Sequence, residues 1–107
     1  MQEKVREFCR QHNLSSSSNA RLLDLVSEVG ELAKEFLKAS SYGQNDVVVK
    51  NKDIVLELGD IIFSLLCLAN SLDINIQESL DLVLLKYEKR ICEKNNPSSS
   101  MPKALTI

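Results

Sequence analysis

The chain has 107 residues, of which 44% are hydrophobic, so it is long enough for one small globular domain with a limited core. Its formal net charge of −2 argues against nucleic acids and anionic membranes as partners, because both require a basic surface. Three cysteines without a CxxC spacing predict neither a disulfide framework nor a zinc site. With no run of roughly 18 uninterrupted apolar residues, a soluble, cytoplasmic protein with reduced thiols is expected.

The first half of the chain predicts two helices. The apolar spacing of Val5, Phe8 and Cys9 predicts a short first helix that ends near residues 12–13. A serine-rich loop over residues 15–19 follows and offers N-cap side chains for a second helix, predicted over about residues 20–38. Turn-forming residues over 40–45 end that helix, and the valines at 47–49 are too few to predict a sheet.

Two further helices are predicted in the second half. The third runs over about residues 53–71. The fourth begins after Asn75, which forms a capping-box-like pattern with Glu78, and ends near residue 94. Residues 95–107 are predicted to be a tail that is flexible or docks on a partner subunit. The fold class that follows is all-α, with four helices and no sheet.

Two short motifs carry the chemistry, Glu28-Val29-Gly30-Glu31 and Glu57-Leu58-Gly59-Asp60. Residues i and i+3 lie on one face of a helix, so each motif presents two carboxylates in one direction. Four converging carboxylates repel one another unless a cation lies among them. A hard divalent ion such as Mg²⁺, or Mn²⁺ in its place, takes oxygen ligands of this kind. The glycine inside each predicted helix favours close approach of the two backbones beside the acids.

The two motifs differ in how well a solvated helix face explains them. On the second helix the acids lie opposite apolar residues, as on any amphipathic helix. A solvated face and a metal site therefore both stay open there. On the third helix apolar residues cover most of the circumference, which predicts packing on most sides. No lysine or arginine between Asp53 and Ile76 neutralises the remaining polar residues, so a bound cation is the economical explanation. That narrow polar strip consists of Asp53, Glu57, Asp60, Ser64 and Ser71.

These motifs resemble those of the MazG-like nucleotide pyrophosphohydrolases, in the all-α NTP pyrophosphatase superfamily. The family pattern is EXXE, a variable gap and EXXD, and it matches Glu28, Glu31, Glu57 and Asp60 here. The resemblance covers roughly residues 20–91. It implies a MazG-like four-helix bundle, with residues 1–94 as a single domain, that assembles at least into a homodimer, with a homotetramer as the alternative.

The resemblance also implies a reaction. It is the Mg²⁺-dependent hydrolysis of a nucleoside triphosphate to the monophosphate and pyrophosphate, with house-cleaning of noncanonical or deoxynucleoside triphosphates as one role. The four acids would be the metal ligands, and Glu28 or Glu31 the catalytic base. Ser27 stands where many relatives carry a further glutamate, so the number of metal ions stays open. Leu84 stands where many carry an asparagine, which makes nucleotide contacts from the last helix less secure.

Several residues are candidates for binding the substrate. Lys86, Lys89 and Arg90 on the fourth helix are placed to meet phosphates, although a helix C-terminus favours cations without any ligand. Lys34 follows the first motif by one turn and either reaches a phosphate or extends into water. Tyr42, in the loop after the second helix, is the candidate for stacking on the base.

Two other functions stay open from the sequence. Phosphoribosyl-ATP pyrophosphohydrolase belongs to the same superfamily and uses the same chemistry. The other is a non-catalytic helical interaction module with vestigial acids, and the serine at position 27, where many relatives carry an acid, supports it. The sole histidine, His12, disfavours a di-iron bundle, which requires Glu-x-x-His on two helices.

Overall fold

The computed structural model describes residues 1–41, 43–44 and 52–95. Those residues form four helices and no strand: α1 (Gln2–Gln11), α2 (Ser18–Ala39), α3 (Lys52–Ser71) and α4 (Ile76–Lys94). The predicted all-α class is confirmed, and the predicted helix ends agree with the observed ones to within two residues. The valines at 47–49 and the predicted tail beyond residue 95 lie outside the described residues. Contacts divide the chain into two compact units, Met1–Ile74 and Asn75–Ile107.

Side-chain caps begin two of the helices. The Ser17 hydroxyl accepts a hydrogen bond from the backbone N–H of Ala20 at 3.1 Å, at the start of α2. The Asn75 side-chain oxygen accepts from the backbone N–H of Glu78 at 3.1 Å, at the start of α4. Each cap satisfies one of the amides that a first helical turn leaves unpaired, and the N-caps predicted from the serine loop and from Asn75 are confirmed.

Left-handed residues end α1 and α3. Asn13 has a φ of 56° after α1, and the next amide, that of Leu14, donates back to the Cys9 carbonyl at 2.9 Å. Asp73 has a φ of 55° after α3 and reverses the chain in the same way. Short polar side chains tolerate this conformation better than bulky ones, so both helices end without a glycine.

The first unit is built on the packing of α3 against α1 and α2. Helices α2 and α3 run antiparallel, since the Ser18 hydroxyl at the start of α2 lies 2.9 Å from the Ser71 hydroxyl at the end of α3. On another side, Phe8 of α1 contacts Phe63 edge to face, with ring centroids 6.0 Å apart. The Asn70 side-chain oxygen accepts from Arg6 of α1 at 2.9 Å. These contacts make α3 the central helix of the unit.

The buried core within one chain is small. Its apolar members all lie on α3: Ile54, Leu66, Cys67 and Ala69. Four other large side chains of α3 are between 45% and 57% exposed: Val55, Leu56, Leu58 and Ile62. The prediction that α3 is packed on most sides is therefore wrong for the single chain, because apolar coverage of a helix does not state which of its sides find a neighbour.

The apolar character of α3 raises the question of a membrane span. It is the one helix among the described residues with sufficient length and hydropathy, at a mean hydropathy of 1.7 over 18 residues. The core helix of a soluble protein meets the same criterion. In addition, α3 carries the carboxylates of Glu57 and Asp60 within that stretch, and such groups are costly in hydrocarbon. Hydropathy is therefore weak evidence for a span here.

Candidate metal centre

Three carboxylates from two helices converge where the middle of α2 lies against the first half of α3. Glu28 of α2 and Glu57 and Asp60 of α3 each have an oxygen within 4.8 Å of an oxygen of the other two. The i, i+3 spacing aligns the two acids on α3, and the antiparallel register brings Glu28 opposite them. Oxygen ligands at about 2.0–2.6 Å from one divalent ion lie about 3–5 Å from one another, so the group has the dimensions of a metal site.

Glu31, the fourth predicted ligand, lies beside this group rather than within it. It is exposed on α2, one turn beyond Glu28. Its negative charge contributes to raising the pKa of Glu57, which places it within electrostatic reach of the group. The structure thus brings three of the four predicted acids together and leaves Glu31 at the margin.

Glu57 is the acid that most needs a cation. Its Oε2 atom is buried and has no hydrogen-bond partner among the described residues. Burial raises the pKa of Glu57 above its ordinary value, and the charges of Asp60 and Glu28 raise it further. An unpaired buried carboxylate oxygen is unfavourable, and repulsion from neighbouring acids adds to that cost.

Three ion pairs of the first unit join Arg6 to Glu3, Arg10 to Glu7 and Lys38 to Glu35, and none of these three involves Glu28, Glu57 or Asp60. A hard divalent ion would contact the unpartnered oxygen and offset the repulsion among the three carboxylates. The donor set, composed of carboxylate oxygens without histidine or cysteine, therefore fits Mg²⁺ or Mn²⁺.

The metal-free protein is expected to lose stability as the pH rises, and Glu57→Gln should reduce that loss. Because the pKa of Glu57 is raised above 4.5 in the folded protein, folding favours its protonated form. The stabilisation of the folded protein that results from this raised pKa is fully present below about pH 4.5. It is lost as the pH rises through the pKa of Glu57 in the folded state. Thermal unfolding in EDTA between roughly pH 4.5 and 8 measures the difference from wild type.

Glu88→Gln, at an exposed position of α4, is the matched control and should behave as the wild type does at every pH. A metal-free Glu57→Gln protein that melts below the wild type near neutral pH would contradict the assignment of an unfavourable buried charge to Glu57.

Part of the acidic face of α2 packs towards α3, contrary to the plain amphipathic interpretation that the sequence left open. Glu28 and Glu35 are half-buried, whereas Leu22, Val26 and Phe36 on the other side are exposed. The physical reason is the rotation of α2 about its axis, which periodicity does not determine. Glu28 and Glu35 are thereby directed inward.

Glu35 is a further acid of this region that the two motifs do not include. It pairs with Lys38 at 3.6 Å, and its charge contributes to raising the pKa of Glu57. The signal in the sequence is its spacing, since Glu35 follows Glu28 by seven residues, or two helical turns, on the same face.

The prediction of a close backbone approach at the two glycines is wrong for the single chain. A Cβ atom added at Gly30 or Gly59 would meet no atom within 4 Å. The space beside each glycine is open in one chain, and glycine within a helix lowers stability by about 1 kcal/mol relative to alanine. Neither glycine is explained by helix packing within the first unit.

The predicted substrate-binding residues are distributed over both units. Lys34 is exposed on α2, one turn beyond Glu31, and so lies on the same helix as part of the acidic group. Tyr42, the candidate for stacking on the base, lies outside the described residues.

The other three predicted phosphate ligands belong to the second unit. On α4, Lys86 and Lys89 are exposed and Arg90 is half-buried. The Lys86 ammonium lies 5.2 Å from the centre of the Tyr87 ring, a cation–π distance. Their role in binding phosphates stays a prediction.

The fold and site together define a class: an all-helical protein in which two antiparallel helices bring three carboxylates together. The model of the MazG nucleotide pyrophosphohydrolase domain matches residues 16–93, and the chain belongs to this family. It is therefore an enzyme of the nucleotide pyrophosphohydrolase type, in a family that generally depends on divalent metal ions. This disfavours the non-catalytic interaction module.

Known relatives agree with this assignment. The protein YpjD of Bacillus subtilis (strain 168) is 38% identical over 71 residues, which cover 66% of this chain and 64% of that protein. The crystal structure of the Bacillus-conserved MazG protein, a nucleotide pyrophosphohydrolase, is 33% identical with a TM-score of 0.67, covering 81% of this chain and 84% of that one. The crystal structure of YPJD from Bacillus subtilis has 37% sequence identity and a TM-score of 0.67, and the match covers 83% of this chain and 90% of that one.

Proposed function

We propose that this enzyme hydrolyses a nucleoside triphosphate to the monophosphate and pyrophosphate, with Mg²⁺ as its cofactor. The observation that carries the proposal is the group of Glu28, Glu57 and Asp60, with the unpartnered buried oxygen of Glu57. A cluster of acids repels a polyphosphate, so it acts on one only through a cation. When bound, a divalent ion neutralises charge on the phosphate oxygens and polarises the reacting phosphoryl group.

The side chains then have separate tasks. Glu28, Glu57 and Asp60 would hold the ion from two helices, which would fix its position relative to the fold. Glu31 lies beside that group, exposed to water, and we assign it the role of accepting the proton of the attacking water. As the water oxygen bonds to phosphorus, the bond between the α- and β-phosphoryl groups breaks, and pyrophosphate leaves.

Cationic side chains would bind the phosphates that the metal ion leaves uncovered. Lys34 is the candidate on α2, and Lys86, Lys89 and Arg90 are the candidates on α4. The family match over residues 16–93 runs through both compact units, which supports the prediction that residues 1–94 act as a single domain. Tyr42 is retained as the stacking partner of the base.

We further propose that the enzyme is a cytoplasmic homodimer or homotetramer without nucleic-acid or membrane partners. An apolar stripe on α2, spaced at i, i+4, i+7 and i+14, supports self-association because its side chains are between 43% and 61% exposed. The stripe consists of Leu22, Val26, Val29 and Phe36. The net charge of −2 gives no basic surface for a polyanionic partner.

Pyrophosphate release from a panel of nucleotides with Mg²⁺ tests the activity. The panel contains standard and noncanonical nucleoside triphosphates, their deoxy forms and phosphoribosyl-ATP. We expect pyrophosphate from at least one nucleoside triphosphate, none in EDTA, and recovery on adding Mg²⁺, with Mn²⁺ compared in parallel.

The panel also separates the alternatives. If pyrophosphate is released from phosphoribosyl-ATP alone, the substrate is not a nucleoside triphosphate, and the enzyme acts as a phosphoribosyl-ATP pyrophosphohydrolase. Release of inorganic phosphate in place of pyrophosphate would contradict the position of bond cleavage.

A further inference from the structure

Two thiols from different helices face each other at some distance from the acidic group. The Sγ atoms of Cys9 on α1 and Cys67 on α3 are 3.6 Å apart. A disulfide requires about 2.05 Å, so a shift of about 1.5 Å would close the gap. Cys67 lies two helical turns beyond Asp60 along α3, or about 10 Å, so the thiols are separate from the candidate metal centre.

The thiols line a cavity that a small oxidant can enter. Its volume is about 200 Å³, and Arg6 and Arg21 line it as well. Arg6 donates to the Asn70 side-chain oxygen at 2.9 Å, and Arg21 donates to the Leu14 carbonyl, so both cations are held at the cavity wall. Partially exposed cysteines beside cationic side chains are the ones that typically react with peroxides.

The two cysteines differ in accessibility, and this gives them an order of reaction. Cys9 is half-buried, whereas Cys67 is 4% exposed. Burial, together with the hydrogen bond to Cys9, raises the pKa of the Cys67 thiol to about 11, and Arg21 offsets only part of that effect. Cys67 therefore stays protonated and shielded, and Cys9 is the thiol that meets the oxidant first.

We propose that Cys9 and Cys67 form a redox-active dithiol that a hydroperoxide converts to a disulfide between α1 and α3. The Cys9 sulfur attacks one peroxide oxygen, the O–O bond breaks, and Cys9 becomes a sulfenic acid while water leaves, with H₂O₂ as the oxidant. The Cys67 sulfur then attacks the Cys9 sulfur, the S–O bond breaks, and the Cys67 proton leaves with the hydroxide as a second water. Two thiols lose two electrons, and one H₂O₂ is reduced to two waters.

The disulfide would have a structural consequence that is independent of the hydrolytic reaction. It joins residues 58 positions apart, which restricts the unfolded chain and ties α1 to the central helix. In a reducing compartment such a bond forms only transiently, as is typical of redox-sensing pairs. The site thus couples peroxide exposure to the stability of the fold.

The test uses the full chain with Cys92→Ser, which removes the exposed third thiol and its intermolecular disulfides. After brief treatment with H₂O₂, we expect the intact mass to fall by two hydrogen atoms, and a peptide containing Cys9 to be linked to one containing Cys67. The melting temperature should rise by at least about 4 °C, and dithiothreitol should reverse both changes. Adding Cys9→Ser should abolish the mass loss and the rise in melting temperature.

Three results would overturn the proposal: a sulfinic acid on Cys9 with Cys67 still a free thiol, both thiols free after treatment, or a disulfide that only joins two chains. Peptide mapping of the Cys92→Ser protein decides among them, even if replacement of the buried Cys67 prevents folding. None of these readouts depends on nucleotide hydrolysis, so the redox-active dithiol is tested independently of the proposed function.

Discussion

Replacing Glu57 by glutamine is expected to lower the rate of pyrophosphate release by about 100- to 1,000-fold. A divalent ion in a hydrolytic site contributes several kcal/mol to the reaction, and each 1.36 kcal/mol corresponds to a tenfold change in rate. Glutamine keeps the shape of Glu57 but removes the charge of the one acid among the described residues whose buried oxygen has no partner. Asp60→Asn and Glu28→Gln should have losses of the same order, because all three acids form one group.

Steady-state rates and calorimetric titration with Mg²⁺ measure these effects together. The three variants should bind the ion more weakly than the wild type does. Glu31→Gln should instead lower kcat with little change in metal binding, because Glu31 lies outside the group and is assigned to the proton transfer.

Asp24→Asn is the matched control, since Asp24 is exposed on α2, one turn before Glu28, and is not part of the acidic group. It should retain close to wild-type activity. A Glu57→Gln enzyme that is folded, binds Mg²⁺ normally and releases pyrophosphate at the wild-type rate would remove the basis of the proposed metal centre.

Replacing Val26 by glutamate is expected to dissociate the proposed homo-oligomer. Val26 is 61% exposed in one chain and lies in the middle of the apolar stripe of α2. If this stripe is covered by a second copy, the glutamate buries an unpaired charge, and in a symmetric dimer it does so twice. A penalty of about 3–5 kcal/mol for an uncompensated buried charge corresponds to association weakened by at least about 100-fold.

Light scattering coupled to size-exclusion chromatography measures the change. The wild type should elute as two or four chains, and Val26→Glu should shift towards one chain at the same concentration. Ser27→Glu adds the same charge at an exposed polar position on a different side of α2 and should leave the mass unchanged. A wild type with the mass of one chain would refute the assembly, and an unchanged mass for Val26→Glu would exclude this stripe as the interface.

The helices were predictable because their signals are local. The Ser17 and Asn75 caps and the 3.6-residue periodicity act over one or two turns, so four helices and their ends follow from neighbouring residues. The i, i+3 pairing of Glu57 with Asp60 is local for the same reason, and so is the absence of lysine and arginine between Asp53 and Ile76.

The orientation of each helix was not predictable in this way. Periodicity shows that α2 has an acidic and an apolar face, but it is equally satisfied when either face is directed inward. The structure directs Glu28 and Glu35 towards α3 and leaves the apolar stripe exposed. The open space beside Gly30 and Gly59 was unpredictable for a similar reason. It depends on where other segments of the protein pass, and not on the helix that contains the glycine.

The sequence by itself determined the all-α class, the family pattern and the four acids, because each is a matter of residue type and spacing along the chain. Only the tertiary structure decided that Glu28 joins Glu57 and Asp60 while Glu31 stays at the margin, and that one oxygen of Glu57 is buried without a partner. It also decided that Cys9 meets Cys67 across 58 positions. Such contacts depend on the register and rotation of packed helices, which are set by many weak interactions acting together and not by any one motif.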